Sequence, residues 1–400
     1  MERNLSTAIK IVFCGGLAFF CSFIDRLSWP PVIPMASREL GLTAAQAGGF
    51  MSAFFLGYLL TQLPGGMLAD RLGTRKVLLG SLFLMGIFTI GMAWIPGYWT
   101  GTVLRFFAGI GSGAVLAASV KGVYDHFGPT RRATAMGFFM ASSPLGLLMA
   151  NLLSPMIAAS YGWRSSFLAA GSFTLLVLAI SWLVIPRPAK ARHQAVNTAT
   201  DGRSTLRALV GNRDLMLTAA AGFFAMWGTW GTLTWANTYM NQCLGLSLQQ
   251  SGQIMALFGL GALIGQPLAG WLADLLPRFR RQVGMTILAL FSFLLWFFGN
   301  NQDAGQLVIL APLLGAGAFV FGPVLNTFIS ELVSPLQVGT AIGLCNGVWQ
   351  LGSVISPLTA GFFLDLTGNY TWTFAVLAAG PLLAVLLFAL VRSGGVHESC

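Results

Sequence analysis

The sequence predicts an all-α polytopic membrane protein whose twelve transmembrane helices form two pseudo-symmetric six-helix bundles. Three observations support this fold class. Of the 400 residues, 56% are hydrophobic and 8% are charged, whereas about a quarter of the residues in a soluble domain carry a charge. Basic residues concentrate in alternate loops, and the tripeptide Leu68-Ala69-Asp70 recurs in the second half as Leu272-Ala273-Asp274.

The predicted spans follow from the length of the apolar segments. A membrane-spanning helix needs about 20 mostly apolar residues. Twelve segments meet this requirement: 10–35, 44–68, 76–95, 99–121, 133–158, 163–185, 214–240, 249–273, 283–300, 305–329, 338–362 and 371–391. The first segment is longer and more charged than the apolar core of a cleavable signal peptide, so we expect the chain to retain it.

The loops between these segments differ in their content of lysine and arginine. If the N-terminus is cytoplasmic, the outer loops hold only Arg38 and Arg164, while the inner loops and tails are rich in basic residues. This bias orients a protein in its membrane, so we expect both termini in the cytoplasm and the chain in a plasma membrane, which in bacteria is the inner membrane. The net charge of +10 therefore reflects orientation in a lipid bilayer, and we expect no nucleic-acid partner.

The first segment carries adjacent opposite charges, Asp25 and Arg26, inside an otherwise apolar run. A charge at the centre of a membrane helix costs roughly 2.5–3.5 kcal/mol on insertion scales, so such residues usually face a protein interior or a watery cavity. Neighbouring helical residues point about 100° apart. We therefore expect Asp25 and Arg26 to have separate partners on other helices.

Residues 66–76 (GMLADRLGTRK) form a tight turn after the second segment, with an acid at a helix end and bases directly after it. This stretch resembles the signature that follows the second helix in the major facilitator superfamily, and it departs from that signature at Thr74, where an arginine is common. The resemblance implies a staple on the inner face that gates the protein. Its residues here are Asp70, Arg71, Gly73 and Arg75, with Asp274 in the second copy.

Arg105 lies in the fourth segment, ahead of three glycines at 109, 111 and 113. These glycines are inside an apolar helix and do not follow a strand, which excludes a dinucleotide-binding loop. Arg105 resembles the fourth-helix arginine of the superfamily, and the alternative is a structural arginine that donates to backbone carbonyls. At ~1.5 Å per residue, Asp25 and Arg105 lie at nearly one depth, so we expect one central cavity to hold Asp25, Arg26 and Arg105.

A polar, basic stretch at 186–213 interrupts the hydrophobic pattern. We interpret it as a cytoplasmic linker between an N-terminal six-helix bundle at 1–185 and a C-terminal six-helix bundle at 214–400. The repeated tripeptide supports an internal duplication. Duplicated halves of this kind are typical of transporters that bind substrate between two bundles.

Polar side chains also occur in the seventh and eleventh segments. The tryptophans at 227, 230 and 235 are interpreted as packing or interfacial residues. Asn346 and Gln350 lie one helical turn apart on one face. Their amides can donate to and accept from a ligand, and the alternative is hydrogen bonding between helices. Both are candidate substrate-binding residues.

A narrower resemblance rests on helices one, two and eleven. After Asp25 and Arg26 come residues 39–48 (ELGLTAAQAG) and 52–58 (SAFFLGY), and the eleventh segment carries 343–346 (GLCN). Together these are similar to the anion:cation symporter branch, whose members take up sugar acids and other organic anions with protons.

This resemblance implies a role for each matching residue. Asp25 would take the coupling proton, Arg26 and Arg105 would hold the substrate carboxylate, and Asn346 would contact substrate hydroxyls. The branch often has a glutamate where this chain has Ser112, which leaves the proton stoichiometry open. The residues point the same way without the family, since Asp25, Arg26 and Arg105 sum to +1, a charge that suits a monoanion bound by guanidinium.

We therefore predict a secondary active transporter that takes up a small organic anion, such as a sugar acid or another carboxylate, with a proton by alternating access. The alternative is a proton-coupled exporter of drugs or metabolites with the same fold, although the fifth segment lacks the glycine-proline pattern of resembling antiporters. A facilitator or exchanger without protons is a further alternative. No carboxylate, histidine or cysteine cluster suggests an enzyme, and we expect no cofactor, no metal and a monomeric chain.

Overall fold

The computed structural model describes residues 5–186, 202–276, 279–335 and 337–391. Over these residues the chain forms α-helices, two short 3-10 helices and no strand. The α-helices are α1 (Leu5–Leu27), α2 (Ile33–Leu40), α3 (Ala44–Leu72), α4 (Thr74–Gly91), α5 (Tyr98–His126), α6 (Pro129–Tyr161), α7 (Trp163–Val184), α8 (Gly202–Gly211), α9 (Arg213–Cys243), α10 (Leu248–Leu275), α11 (Arg280–Asn300), α12 (Ala304–Leu332), α13 (Val338–Thr367) and α14 (Tyr370–Ala389).

The all-α membrane fold predicted from the sequence is confirmed. Each of the twelve apolar segments contains most of one long helix, and α2 and α8 are short additional helices. Within the described residues, length and apolarity alone identify nine spans. The long helices outside that set, α3, α9 and α10, have 29, 31 and 28 residues. Their length is therefore sufficient to span a bilayer.

The uninterrupted apolar run of the first segment suggested one continuous helix, but the structure divides it. Helix α1 ends at Leu27, a short 3-10 turn covers Pro30–Val32, and α2 runs from Ile33 to Leu40. Proline has no backbone N–H and clashes with the preceding helical turn, so the Pro30-Pro31 pair ends α1. Gly41, with φ +63°, then ends α2 in the left-handed conformation that glycine adopts most readily.

The two halves have matching internal packing. Helix α3 packs along α5 in the first half, as α10 packs along α12 in the second, and the halves meet along two seams, α3 with α13 and α6 with α10. We call the face at which α1 begins the terminal face and the opposite one the distal face. The predicted linker at 186–213 lies partly outside the described residues, and its last part forms α8.

Both seams are tight near the distal face. A Cβ atom at Gly48 would lie 2.1 Å from the carbonyl oxygen of Pro357, and one at Gly252 would lie 2.3 Å from that of Asn151. Only glycine permits such close backbone approach. Nearer the terminal face, by contrast, a Cβ at Gly343 or Gly347 of α13 would meet no heavy atom within 4 Å. Both seams are therefore tightly packed near the distal face, whereas α13 borders open space at Gly343 and Gly347 nearer the terminal face.

Candidate functional site

Asp25 lies near the end of α1 and is completely buried. The hydroxyl of Thr174 in α7 donates to its carboxylate, with Oγ1 at 3.2 Å from each carboxylate oxygen. The partner of Asp25 is thus on another helix, as the sequence predicted. Sequence reasoning did not identify Thr174, because one threonine in an apolar segment carries no distinguishing signal.

Arg105 in α5 is also fully buried. Its Nη1 donates to the carbonyl oxygen of Asp25 at 2.8 Å, and its Nη2 donates to that of Arg26 at 2.9 Å. The Arg26 carbonyl has no helical donor because the residue four positions later is Pro30, which lacks an N–H. Arg105 therefore replaces a missing backbone hydrogen bond, which was the structural alternative considered for it.

These contacts also place the three charged residues together. Arg105 touches the backbone of Asp25 and Arg26, so the similar depths predicted from helix geometry correspond to direct contact. The Nε atom of Arg105 has no hydrogen-bond partner among the described residues. Most of the hydrogen-bonding capacity of this guanidinium is nevertheless used within the protein.

Arg26 shares the Phe54 ring with Arg105 but differs from it in its hydrogen bonding. Its side chain is 2% exposed, yet its Nε and Nη2 atoms have no hydrogen-bond partner among the described residues. Five aromatic rings surround the guanidinium carbon at centroid distances of 4.5–5.5 Å: Phe23, Phe54, Phe55, Tyr58 and Trp230. Ring faces attract cations at these distances, so the charge is held in place while two donors stay unpaired.

We call these five rings the aromatic cage. Phe23 comes from α1, the residues at 54, 55 and 58 come from α3, and Trp230 comes from α9 in the second half. The cage therefore joins the two halves around Arg26. Trp230, interpreted from the sequence as a packing residue, packs against Phe55 with ring centroids 4.6 Å apart.

Ser112 occupies the place where the resembling branch often has a glutamate. Its hydroxyl is hydrogen-bonded to that of Ser22, one helical turn before Asp25 on α1. Both serines are buried. A neutral pair of hydroxyls thus lies beside the charged cluster, at the position where a glutamate would add a second carboxylate. Among the described residues, Asp25 is the one carboxylate in this cluster.

The two amide candidates lie on α13. Gln350 is buried and its Oε1 has no hydrogen-bond partner in the described part of the chain, while Asn346 is half-buried one turn closer to the terminal face. A second amide pair was not among the candidate residues: Nδ2 of Asn237 in α9 donates to Oδ1 of Asn151 in α6 at 3.1 Å. This bond crosses between the halves on the distal side of Trp230.

Among the described residues, the polar contacts of the motif at 66–76 lie within the first half. Asp70 pairs with Lys121 of α5 at 3.2 Å. Arg75 donates to the carbonyls of Trp182 and Ile185, which end α7. Gly73 has φ +83° at the turn, and Arg71 is exposed. The side chain of Asp274 lies outside the described residues.

A functional candidate that sequence reasoning missed is Asp365, near the end of α13. Its two carboxylate oxygens each accept a backbone N–H at 2.8 Å, from Ala44 and from Ala45 at the start of α3. A signal was present in the sequence, because Asp365 precedes Gly368 by three positions as Asp70 precedes Gly73. Both glycines have positive φ and end their helices.

Comparison with known families and proteins agrees with this architecture. Residues 15–310 and 244–399 match the family described as Major Facilitator Superfamily. The "Probable sulfoacetate transporter SauU" of Cupriavidus necator is 28% identical, and the match covers 96% of this chain and 93% of that protein. The "Hexuronate transporter" of Bacillus subtilis is 25% identical over 98% of this chain and 95% of its own length. The "Cis,cis-muconate transport protein" of Acinetobacter baylyi is 26% identical, with coverage of 88% and 86%.

Solved structures show the same fold. A bacterial homologue of the human lysosomal transporter Spinster, in an inward-facing and unoccupied conformation, superposes with a TM-score of 0.79 at 16% identity, covering 97% of this chain and 96% of that one. The nucleoside transporter NupG gives a TM-score of 0.80 at 14% identity, covering 98% and 100%. The chain thus belongs to the Major Facilitator Superfamily, and it is an integral membrane transporter, not an enzyme.

Proposed function

We propose that this protein takes up a small organic anion together with a proton, by alternating access to a site between its two halves. The observation that carries the proposal is the state of Arg26, a buried cation with two unpaired N–H donors at the junction of the halves. A buried donor without a partner costs about 1–3 kcal/mol, and more when it is charged. A bound anion removes that cost by accepting both hydrogen bonds.

The chemistry of the guanidinium limits the ligand. Its planar, fixed array of donors matches the two oxygens of a carboxylate, and equally the oxygens of a sulfonate or phosphate. The aromatic cage surrounds this cation with ring faces, so it favours an anion whose remainder is compact or partly apolar. The similarity to proteins named for sulfoacetate, hexuronate and cis,cis-muconate supports an organic acid as substrate.

Asp25 is the group that we assign to the proton. It lies in the same cluster as Arg26 and Arg105, and its immediate neighbour Thr174 supplies a hydroxyl that can donate to the carboxylate or accept from the protonated acid. Asn346 and Gln350 supply amides on the C-terminal side. We assign these amides to the polar part of the substrate.

The distribution of basic residues between the loops supports an assignment of the two faces to the two sides of the membrane. Arg71 and Arg75 lie at the terminal face, whereas Arg38 and Arg164 lie at the distal one, so the positive-inside tendency makes the terminal face cytoplasmic. On this assignment the structure is open to the cytoplasm. Asp70 then belongs to the gate that forms when the cytoplasmic face closes, since a carboxylate is stabilised at the N-terminus of a neighbouring helix.

The experiment is a thermal-shift screen of purified protein against sulfonates, sugar acids, unsaturated dicarboxylates and cationic dyes, because a ligand of the folded state raises its apparent stability. We expect an organic anion to stabilise the wild type and to have no effect on Arg26→Met, which keeps the bulk of the side chain and removes the charge. Stabilisation by cationic dyes alone would favour the exporter alternative. An equal anion response in Arg26→Met would reject the proposed site.

A further inference from the structure

We propose that Asp365 is the latch that keeps the distal face closed, and that this carboxylate sets the balance between the two access states. The inference rests on the alternating access proposed above, and it concerns a residue remote from Arg26. Its basis is a hydrogen-bonded contact between the halves. The carboxylate belongs to α13 of the second half, and the two N–H groups that it binds open α3 of the first half.

At the start of α3, the N–H groups of Ala44 and Ala45 have Asp365 as their acceptor among the described residues. Thr43 and Gln46 satisfy each other reciprocally, with the Thr43 hydroxyl accepting from the Gln46 N–H and the Gln46 side chain accepting from the Thr43 N–H. This capping box leaves the N–H groups of Ala44 and Ala45 without an intrahelical partner. Asp365 binds both. The negative charge is also favoured there by the helix dipole.

Close backbone packing between α3 and α13 holds the Asp365 carboxylate beside the N–H groups that it binds. A Cβ at Gly361, one turn before Asp365, would lie 2.4 Å from the carbonyl oxygen of Ala44. Farther along the seam, the Leu358 N–H donates to Ser52 Oγ at 3.2 Å. These distances require the distal ends of α3 and α13 to be adjacent. When the distal face opens, the carboxylate must therefore release both N–H groups.

The same helix pair carries the opposite arrangement at its other end. Asp70 lies near the end of α3 at the terminal face, where α13 begins at Val338 without a side-chain cap. In this structure Asp70 is bound to Lys121 of its own half, and the neighbouring part of α13 borders open space at Gly343. Each helix thus carries a carboxylate near its last turn, on the side of the membrane where the other helix begins, and among the described residues the contact is formed at the distal face.

The chain offers a matched control for the latch. Asp303 caps α12 by accepting the Gly305 N–H at 2.8 Å. This aspartate has the same chemistry as Asp365, in the same half and at the same face, but its contact stays within one half. Asp303→Ala therefore removes a helix cap without removing a bond between the halves.

The test measures the distal opening directly and needs no substrate. Spin labels are placed at Ser160 and Gln249, exposed positions that end α6 and open α10 on the opposite seam, in a background where Cys243 and Cys400 are replaced by serine. Distance distributions are recorded by pulsed electron resonance in lipid nanodiscs. Losing the cap and the charge should raise the ratio of long to short distances about fivefold in Asp365→Ala, and less in Asp365→Asn, which keeps one acceptor.

Two results would overturn the latch: an unchanged distribution in Asp365→Ala, or an equal shift in Asp303→Ala. Because the labels report opening without any ligand, a failure of the organic-anion proposal leaves this outcome readable. An observed shift in Asp365→Ala alongside an empty ligand screen would retain the latch and reject the substrate assignment.

Discussion

Two neighbouring buried arginines, Arg105 and Arg26, make different contacts in this protein. Arg105 donates to the carbonyl oxygens of Asp25 and Arg26, so its guanidinium satisfies backbone acceptors at the end of α1. Arg26 is held by the aromatic cage and keeps two donors unpaired. The first arginine is a structural bridge that also fixes the position of the second. On the proposal above, we therefore expect the substrate anion to bind mainly to Arg26.

This difference predicts that Arg26→Lys loses substrate affinity while the protein stays folded. An ammonium keeps the positive charge but cannot present two coplanar donors to one anion. Loss of one charge-assisted hydrogen bond, worth about 1.5–3 kcal/mol, corresponds to at least a tenfold weaker Kd. Isothermal titration with the anion found in the screen measures this, and a Kd within twofold of wild type would contradict it.

For Arg105→Lys we expect a loss of stability. Lysine can donate to one of the two α1 carbonyls at most, which leaves a buried acceptor unsatisfied at a cost of about 1–3 kcal/mol. The unfolding midpoint measured by intrinsic fluorescence should fall by several degrees, and substrate binding should weaken in parallel as α1 loses its support. An unchanged midpoint with abolished binding would instead place Arg105 directly on the substrate.

The sequence predicted the cluster of Asp25, Arg26 and Arg105 correctly, because charges are rare in apolar helices and their depth follows from the rise per residue. It did not predict the aromatic cage. Those rings come from three helices in both halves, and which faces of three helices meet depends on their crossing geometry. Phenylalanine and tryptophan are also common in membrane segments, so the cage residues had no distinguishing feature in the sequence.

At the scale of helices, hydropathy located each span but not its ends. The fourth segment was predicted at 99–121, whereas α5 runs from Tyr98 to His126. Polar residues such as Lys121 and Asp125 lower the hydropathy, yet they pair with each other at 3.3 Å on one helix face and so continue the helix. The break between α1 and α2 was missed because apolar residues flank Pro30 and Pro31, so the segment remains apolar on average across the break.

Substitution of a glycine at a seam tests whether close packing of two helices keeps the distal face closed. A Cβ added at Gly48 would lie 2.1 Å from the Pro357 carbonyl oxygen, so Gly48→Ala should separate α3 from α13 and favour the distal-open state. Gly80→Ala is the control, because a Cβ there meets nothing within 4 Å. We expect increased reactivity of a cysteine introduced at Ser52 in Gly48→Ala only. Equal reactivity in both variants would contradict the tight distal seam.

At the scale of the whole molecule, the distal contacts and the charged cluster describe one half of a cycle. The hydrogen bonds from Asn237 to Asn151 and from Leu358 to Ser52 close one side of the site, while α13 borders open space toward the terminal face. On the proposed mechanism, we therefore expect substrate and proton to arrive or leave from the terminal side in this state. Uphill transport requires that the two ligands change this state together.

The last prediction concerns that coupling. An anion bound at Arg26 and an ionised Asp25 are both stabilised by the positive charges of Arg26 and Arg105. We therefore expect anion binding to favour protonation of Asp25, and by linkage protonation to favour anion binding equally. Asp25→Asn imitates the permanently protonated form. The variant should bind the anion and exchange it across a membrane without a gradient, but it should fail to accumulate it.

The measurement uses proteoliposomes with an imposed inward proton gradient, and compares uphill uptake with exchange of labelled for unlabelled anion. Thr174→Val is the matched control, because it removes the hydroxyl that donates to Asp25 and keeps the carboxylate. We expect Thr174→Val to retain accumulation with an altered pH profile, since the acid can still gain and lose its proton. Accumulation by Asp25→Asn at the wild-type level would show that the coupling proton binds elsewhere. In that case Ser112→Glu, measured in the same assay, would test whether a second carboxylate at that position can couple transport to the proton gradient.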